Sequence, residues 1–445
     1  MARPPHKRSP QALLERALAE VSPGRGVWVA LSGGMDSTLL LTLAAEVCRA
    51  GSTALHALHV HHGLQAAADD FERHCRALCR RLGVPLTVVY AQVNACGKGV
   101  EGAARQARYA AFAEQVPAGD TLWLAQHRDD QAETWLLAAL RGSGVRGLAA
   151  MPAQRQYRGV TLARPWLGTP QAELAAAAQA LADEGRLDWC DDPTNADTRF
   201  ERNYLRHRVL PVLKARWPHA ERSLVAAAEH MQDADALLEA YAAEELAALQ
   251  IGDEQLDAAA LAARDRPRQR LLVRTFCRRR GLATPPRRRL ETLLAQLCAA
   301  PDAQVYVAWP GACARLWRGR LYLLAEAHRA KAPSWRTSWD GRAPLATPLG
   351  DLDVALVAAP AQATRPLTAC WRRGGEVIEL AGRGRRDLKR LLAEAGLPPW
   401  ERQAVIVLWA GDTCVAALSA PNRRLYQAAG WHFTAGAQRS HGPRC

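Results

Sequence analysis

The stretch Val27-Trp28-Val29-Ala30-Leu31-Ser32-Gly33-Gly34-Met35-Asp36-Ser37 decides the fold of the first third of this chain. A short β-rich apolar run ends in a glycine pair, and the apolar residues from Leu39 onward then read as a helix. In that strand-loop-helix setting, two adjacent glycines let backbone amides turn inward around an oxyanion. The hydroxyls of Ser32 and Ser37 stand where they donate to the same anion at a positive helix N-terminus. The expected ligand is a phosphate group. No lysine lies near and Gly-x-x-x-x-Gly-Lys-Ser/Thr is absent, so this is not a Walker A loop; Gly-x-Gly-x-x-Gly is absent too. Asp36 beside phosphates is repelled unless a divalent cation intervenes, which implies Mg²⁺, although a first-turn acid also complements a helix dipole.

Outward from this loop, three further apolar runs alternate with helical periodicity. The expected strands are Val27 to Leu31, Thr53 to Val60, Leu86 to Gln92 and Thr121 to Ala125. The expected helices are Ser37 to Arg49, Ala66 to Leu82, Glu101 to Gln115 and Asp130 to Leu140. Such alternation is written for an α/β domain with a doubly wound, mostly parallel sheet, whose ligands bind at the carboxyl ends of the strands. Gln126-His-Arg-Asp-Asp130-Gln-Ala-Glu133-Thr134 follows the fourth strand and should face the same crevice as the phosphate loop. Asp130 and Glu133, three apart on a helix, share a face and are placed to hold a cation or grip an ammonium group; helix capping is the plainer reading. His59 and His61 end the second strand on one side of it. Without a Cys or acid at ligand spacing they suit a buried, hydrogen-bonded role or contact with adenine better than zinc.

The whole chain has 445 residues, 49% of them hydrophobic and 23% charged, which fits two or three packed domains and excludes a disordered or fibrous protein. Its net charge of +14 favours a polyanionic partner, with nucleic acid foremost. Only five of the basic residues are lysine: Lys7, Lys98, Lys214, Lys331 and Lys389. The eleven cysteines are scattered and form no Cys-x-x-Cys pair, so a reducing, cytoplasmic setting fits. The basic N-terminus lacks an apolar signal core, and no run of 18 apolar residues occurs. Composition shifts place an α/β domain at 1–216, a mostly helical basic domain at 217–331, and a linker with a small α+β domain at 332–445. The Ala/Leu/Glu-rich run to Leu249 gives the middle region an all-α character, and Leu352 to Val357, Val405 to Trp409 and Cys414 to Leu418 alternate as strands do. Asp191-Asp-Pro-Thr-Asn195 reads as a turn.

Ser-Gly-Gly-x-Asp-Ser resembles the pyrophosphate loop of the N-type ATP pyrophosphatases (PP-loop proteins). Ser32–Ser37, His59-Val-His-His-Gly-Leu64, Gln126–Thr134 with Arg141-Gly-Ser-Gly-Val-Arg-Gly-Leu148, and Asp191–Asn195 with Phe200 to Arg206 occur in the order of the tRNA(Ile)-lysidine synthetase family. The likeness is dense over the first 215 or so residues and thinner at Arg372-Arg-Gly-Gly375 and Leu397-Pro-Pro-Trp400. Gln126 stands where some members carry a second histidine and others glutamine, which puts a direct role for that position in doubt. The resemblance implies a carbon–nitrogen ligase that uses ATP to adenylate the wobble cytidine of an isoleucine tRNA with a CAU anticodon. Free L-lysine then displaces AMP to give lysidine. Residue by residue, it implies that Ser32, Gly33, Gly34, Met35, Asp36, Ser37 and His59 hold ATP, and that Asp36 and Asp130 lie near Mg²⁺. Asp130 and Glu133 would bind lysine, and Arg202 or Arg206 would act at the reaction centre. No membrane is implied, and a homodimer is compatible with this reading.

Between Arg264 and Arg289 stand eleven arginines in 26 residues, which reads as a helix with one buried and one positive face. Arg278, Arg279 and Arg280 there, with Arg372, Arg373, Arg386 and Lys389 further on, are the expected contacts to tRNA. Trp400 after two prolines suits a core anchor better than a base-stacking platform. Two alternatives remain. A tRNA thiolase of the same fold would need a reactive cysteine, for which Cys75 and Cys79 are the nearest residues; a non-catalytic tRNA-binding protein would not need the acidic cluster.

Overall fold

The computed structural model describes residues 9–63, 68–91, 99–300, 303, 305–326, 334–359, 366–419 and 423–435. The N-terminal eight residues, Leu64, Ala66, Gln92, Lys98, Lys331 and Ala332 of the readings above lie outside the described residues. Contacts divide the chain into two units, one ending at Ala240 and the other starting at Tyr241.

The first unit is built on a six-stranded sheet of β1 (Val27–Ala30), β2 (Leu55–His61), β3 (Leu86–Tyr90), β4 (Thr121–Trp123), β5 (Gln154–Tyr157) and β6 (Val160–Ala163). The strand order is β3-β2-β1-β4-β6-β5. All neighbours run parallel except the β5–β6 hairpin. The helices α1 (Pro10–Ala19), α2 (Met35–Ala50), α3 (Ala68–Leu82), α4 (Gly99–Gln115), α5 (Arg128–Leu140), α6 (Val145–Leu148) and α7 (Gln171–Asp183) complete a doubly wound α/β layer structure. Each of the four expected strands and helices is present within a few residues of its expected limits. The hairpin was not legible because its turn is Arg158-Gly159, both at positive φ, where the usual signal is Asn-Gly.

Why Leu39 to Ala45 of α2 are buried on every side follows from where they lie. Leu39, Leu40, Leu41 and Ala44 are fully buried in one cluster with Val27 and Val29 of β1, Leu14 of α1 and Leu174 of α7. A helix covered on all sides is written apolar all round. The chain leaves β1 toward β2 and β3 on one side, while β4 and β6 lie on the other. The loops after β1 and β4 therefore open side by side at the point where the winding reverses.

Helices α8 (Glu201–Tyr204), α9 (Leu210–Arg216) and α10 (Ala220–Leu249) follow, with α8 and α9 joined by one π-helical turn, Leu205–Val209. The second unit begins within α10 and departs from the all-α expectation. It holds the helices α11 (Ala258–Ala262), α12 (Arg266–Arg279) and α13 (Arg287–Ala295). These accompany a five-stranded sheet of β7 (Gln250–Gly252), β8 (Gln255–Asp257), β9 (Tyr306–Trp309), β10 (Ala312–Trp317) and β11 (Arg320–Ala325), in the order β7-β8-β11-β10-β9. The arginine-rich segment is also two helices rather than one. Gly281 at positive φ ends the first, and Pro285-Pro286 prevents its continuation.

Beyond Ser334 the strands are β12 (Arg336–Trp339), β13 (Val354–Ala358), β14 (Leu367–Trp371), β15 (Val377–Leu380), β16 (Gly384–Asp387), β17 (Val405–Ala410), β18 (Thr413–Ser419), β19 (Arg423–Gln427) and β20 (Trp431–Ala435). With the short α14 (Leu388–Glu394) they form an α+β module whose main sheet runs β12-β14-β17-β18-β15-β16, with β19 beside β18. The first four residues of β17 and the middle five of β18 are buried without alternation, since both faces of these central strands are covered. Trp400 is an anchor: its ring meets Tyr322 edge-on at 5.0 Å, and Arg315 lies 5.0 Å from its centre.

Candidate active site

Three segments of the first unit converge on a cavity of about 850 Å³ lined by residues including Ser32, Asp36, His59, Gln126, His127 and Arg206. The first segment is the loop between β1 and α2. Gly33 has φ +92°, and a Cβ there would stand 2.9 Å from Phe71 Cδ1, so both backbone conformation and packing require glycine. Ser37 is buried, and its hydroxyl accepts from the backbone N–H groups of Ser32 (3.1 Å) and Gly33 (3.2 Å) while donating to the Gly34 carbonyl (3.0 Å). The Ser37 side chain thus braces the loop from within. Ser32, exposed, lies 2.9 Å from it, oxygen to oxygen. Met35 opens α2 and Gly34 is its N-cap.

The second segment, at the end of β4, brings the acids. His127 is 2% exposed; its Nε2 lies 3.7 Å from Asp36 Oδ2 and 3.5 Å from Asp130 Oδ2, and its Nδ1 lies 3.7 Å from Asp129 Oδ2. One buried ring therefore joins the phosphate loop to the acidic cluster. Asp130 Oδ2 also accepts from the His127 backbone N–H at 3.1 Å, so the capping reading and the site reading of Asp130 are both satisfied by one side chain. Burial pushes the Asp36 carboxyl above its ordinary pKa, with Asp130 and Asp129 adding to the effect and His127 and Arg206 opposing it.

The third segment supplies the counter-charges. Asp192 caps a short 3₁₀ turn, Pro193–Ala196, and Asn203 donates to the carbonyls of Thr194 (2.8 Å) and Asp197 (3.0 Å). This bracing fixes the approach of α8 and the π turn, which carry Arg202 and Arg206 four residues apart on one face. Arg206 Nε donates to Glu133 Oε1 at 2.7 Å and Nη2 to Asp130 Oδ1 at 3.2 Å, while Arg202 donates to Thr134 Oγ1 at 3.1 Å and lies 3.7 Å from Glu133 Oε2. Glu133 is fully buried, and burial raises its pKa against the pull of Arg206. Burial works against the Arg206 charge, but Glu133 and Asp130 outweigh it and hold that charge firmly.

His59 is buried with Nδ1 2.8 Å from the Leu31 carbonyl oxygen, a contact that requires the proton on Nδ1 and leaves Nε2 as an acceptor. Burial lowers its pKa, so the ring is neutral at pH 7. Asp36 Oδ1 is buried with no partner among the described residues, and Asp36 and Asp130 approach the same ring nitrogen. Two convergent carboxylates and an orphaned oxygen suit Mg²⁺, a hard cation that takes one or two carboxylates and completes its shell with phosphate oxygens and water. Among the described residues no group of three or more His, Cys, Asp or Glu is arranged as a metal cage. Cys75 and Cys79 are buried on α3; burial raises both thiols, that of Cys79 to about 12, which makes them poor nucleophiles.

His127 and the pocket-lining Arg105, Arg108, Tyr109 and Trp189 were missed as individual site residues, although His127 stands within the quoted cluster. Its signal was available: a histidine two and three residues before acids at a strand end. The arginines on α4 had none, because one face of an Ala/Arg helix is indistinguishable from a solvated surface.

The expected tRNA contacts lie in the second unit. Arg279 is exposed, Arg278 and Arg280 are half-buried, and Arg280 pairs with Glu254 at 2.9 Å. Arg372 is held at 3.3 Å by the buried Glu376, whose other oxygen accepts from the backbone N–H groups of Arg373 (2.5 Å) and Gly374 (2.7 Å). Arg373, Arg386 and Lys389 are exposed. No helix among the described residues is long and apolar enough to cross a membrane.

Comparison with known proteins matches a PP-loop domain over residues 7–213, a TilS substrate binding domain over 256–322 and a TilS substrate C-terminal domain over 367–433. A tRNA(Ile)-lysidine synthase of Pseudomonas aeruginosa is 42% identical over 95% of this chain and 96% of its own. Those of Xanthomonas axonopodis pv. citri (44%, 90% of each chain) and Alkalilimnicola ehrlichii (42%, 93% of each chain) are similarly related. With the order of motifs, the parallel sheet and near full-length identity all in agreement, the chain belongs to the tRNA(Ile)-lysidine synthase family.

Proposed function

We infer that this chain uses ATP to attach free lysine to the wobble cytidine of an isoleucine tRNA with a CAU anticodon, forming lysidine. One observation carries the reading: the phosphate-type loop and an acid–arginine cluster face a single cavity and meet at the His127 ring. The cytidine carbonyl oxygen attacks the α-phosphorus and pyrophosphate leaves. The ε-amine then attacks ring carbon C2, the carbon–oxygen bond breaks, and AMP departs with that oxygen. A ring carbonyl is a poor leaving group until it becomes a phosphate ester, and the amine attacks only when neutral.

Ser32, Gly33, Gly34, Met35, Asp36 and Ser37 are assigned to ATP, with His59 beside the adenine. Mg²⁺, held by Asp36 and Asp130, would neutralise charge on the phosphates as pyrophosphate departs. Asp130 and Glu133 converge on the Arg206 guanidinium, and a carboxylate pair that already holds one cation suits the ammonium group of another. Asp130 and Glu133 are accordingly assigned to lysine, with Arg206, which already pairs with both, as the group that yields to it. Residues 1–216 are assigned the chemistry, and 217–331 and 332–445 the tRNA. Arg278, Arg279, Arg373, Arg386 and Lys389 would face phosphates, while Arg280 and Arg372 act partly by holding Glu254 and Glu376. The raised thiol pKa values of Cys75 and Cys79 weigh against sulfur transfer.

The test combines the protein with ATP, radiolabelled lysine and isoleucine tRNA transcripts of varied wobble base. Label is expected in the cytidine transcript alone; pyrophosphate release that needs a sulfur donor instead of lysine would overturn the reading.

A further inference from the structure

Gln126 lies on the cavity wall, immediately before His127, and its side chain is oriented by a neighbour that leaves it no choice. Arg164, 3% exposed, donates from Nε to Gln126 Oε1 and from Nη1 to the Pro152 carbonyl at 2.8 Å; Tyr109 also hydrogen-bonds it. A guanidinium has only donors, so the amide of Gln126 must turn its oxygen toward Arg164 and its NH₂ away. Among the described residues nothing accepts from that NH₂. Arg164 itself has no carboxylate at ion-pair distance among the described residues, and a glutamine rather than an acid meets its Nε. The cavity is thus offered a fixed, donor-only amide.

Its position narrows what it meets. The β2 side of the phosphate loop carries His59, assigned to the adenine; Gln126 lies at the β4 side, with the acids and Arg206, where the second substrate must approach the α-phosphorus. Cytosine has an acceptor at N3, whereas uracil has a donor there. A donor-only group fits the first and meets the second N–H to N–H, and a buried unpaired donor is costly. The N3 lone pair survives adenylation of the carbonyl oxygen, so the same bond persists in the intermediate and draws charge from C2 as the amine attacks.

We propose that Gln126, pinned by Arg164, is a specificity-determining residue that accepts cytosine and rejects uracil at the reacting position. This rests on the lysidine-forming activity inferred above. Histidine in the same place would face Arg164 with its bare nitrogen and again present an N–H to the cavity.

The experiment measures kcat/KM for lysine incorporation into otherwise identical transcripts with C or U at the wobble position, using the wild type, Q126E, Q126H and R164Q. Q126E keeps a partner for Arg164 and replaces the donor by an acceptor, so the C-over-U preference should fall by about ten- to a hundredfold. Q126H should retain the preference. R164Q, which frees the amide to turn over, should relax it without Q126E's loss on the cytidine transcript. Should Q126E preserve the wild-type preference while incorporating lysine, or Q126H lose it as Q126E does, the proposal is wrong. Should Q126E not fold, R164Q decides: an unchanged preference in that variant overturns it. Failure of the wild type to modify the cytidine transcript at all would instead reject the inferred activity.

Discussion

Asp36 and Glu133 are acids held in unlike ways, and their substitutions should fail in unlike ways. Asp36 keeps one buried oxygen without a described partner. Asp36→Ala should abolish pyrophosphate release while tRNA binding stays at the wild-type level; a filter-binding assay beside a pyrophosphate assay separates the two. Glu133 has one oxygen hydrogen-bonded by Arg206 and the other, without a hydrogen-bond partner among the described residues, 3.7 Å from Arg202, and burial still favours its neutral form. Its carboxyl therefore takes a proton at higher pH than the ordinary glutamate value of about 4.3. If the charged form grips lysine, the KM for lysine should rise as pH falls through that elevated range. Glu133→Gln should raise KM severalfold at neutral pH and flatten this acid limb, and a limb that survives in the variant would place the titration elsewhere. At this scale the sequence named the acids and arginines but not their pairing: Arg206 lies more than seventy residues from Glu133, and no local spacing announces such a contact. His127 could be picked out by its place before two acids at a strand end, but its position between acids of two different loops is a tertiary fact.

At the level of elements, strand-loop-helix units were readable because their periodicity and glycine pair act locally. Gly33 shows how tightly this is specified. Alanine there would adopt a strained positive φ and press on Phe71, at a cost of about 1–3 kcal/mol localised in the loop. Gly33→Ala should lower Tm by a few degrees at most and weaken ATP binding by tenfold or more, as isothermal titration would read. Full-strength ATP binding would mean that the loop tolerates a different path. What escaped the sequence were elements with weak local signals. The β5–β6 hairpin turns on Arg158-Gly159, and β7 and β8 have three residues each beside a long Ala-rich helix. β9 to β11 form an antiparallel meander that β8 extends at the β11 edge, but the Ala/Leu/Glu-rich run to Leu249 had set the expectation of an all-α region and these strands were not read. The arginine segment was read as one helix because composition dominated; Gly281 and Pro285-Pro286 were the break signals.

For the molecule as a whole, the net charge of +14 pointed correctly to a nucleic-acid substrate class, though not to which arginines reach it. Several of the eleven arginines between Arg264 and Arg289 are tied to acids: Arg270 to Glu291 at 2.6 Å, Arg280 to Glu254, and Arg264 and Arg268 to Glu245. Arg279 is exposed, as are Arg287 to Arg289 at the start of α13. Replacing Arg278, Arg279 and Arg280 together by glutamine should weaken tRNA binding and reduce the slope of log affinity against log salt by about two. ATP binding should not change, and an unaltered salt slope would remove α12 from the RNA surface. The account as a whole stands on one event, transfer of the α-phosphorus of ATP to the oxygen of the wobble base. The most direct measurement uses tRNA carrying ¹⁸O at the cytidine carbonyl and reads the AMP by mass spectrometry after lysine addition. The account predicts that AMP carries the heavy oxygen, one atom for each lysidine formed. AMP whose new oxygen comes from solvent, with the label still on the tRNA, would contradict it.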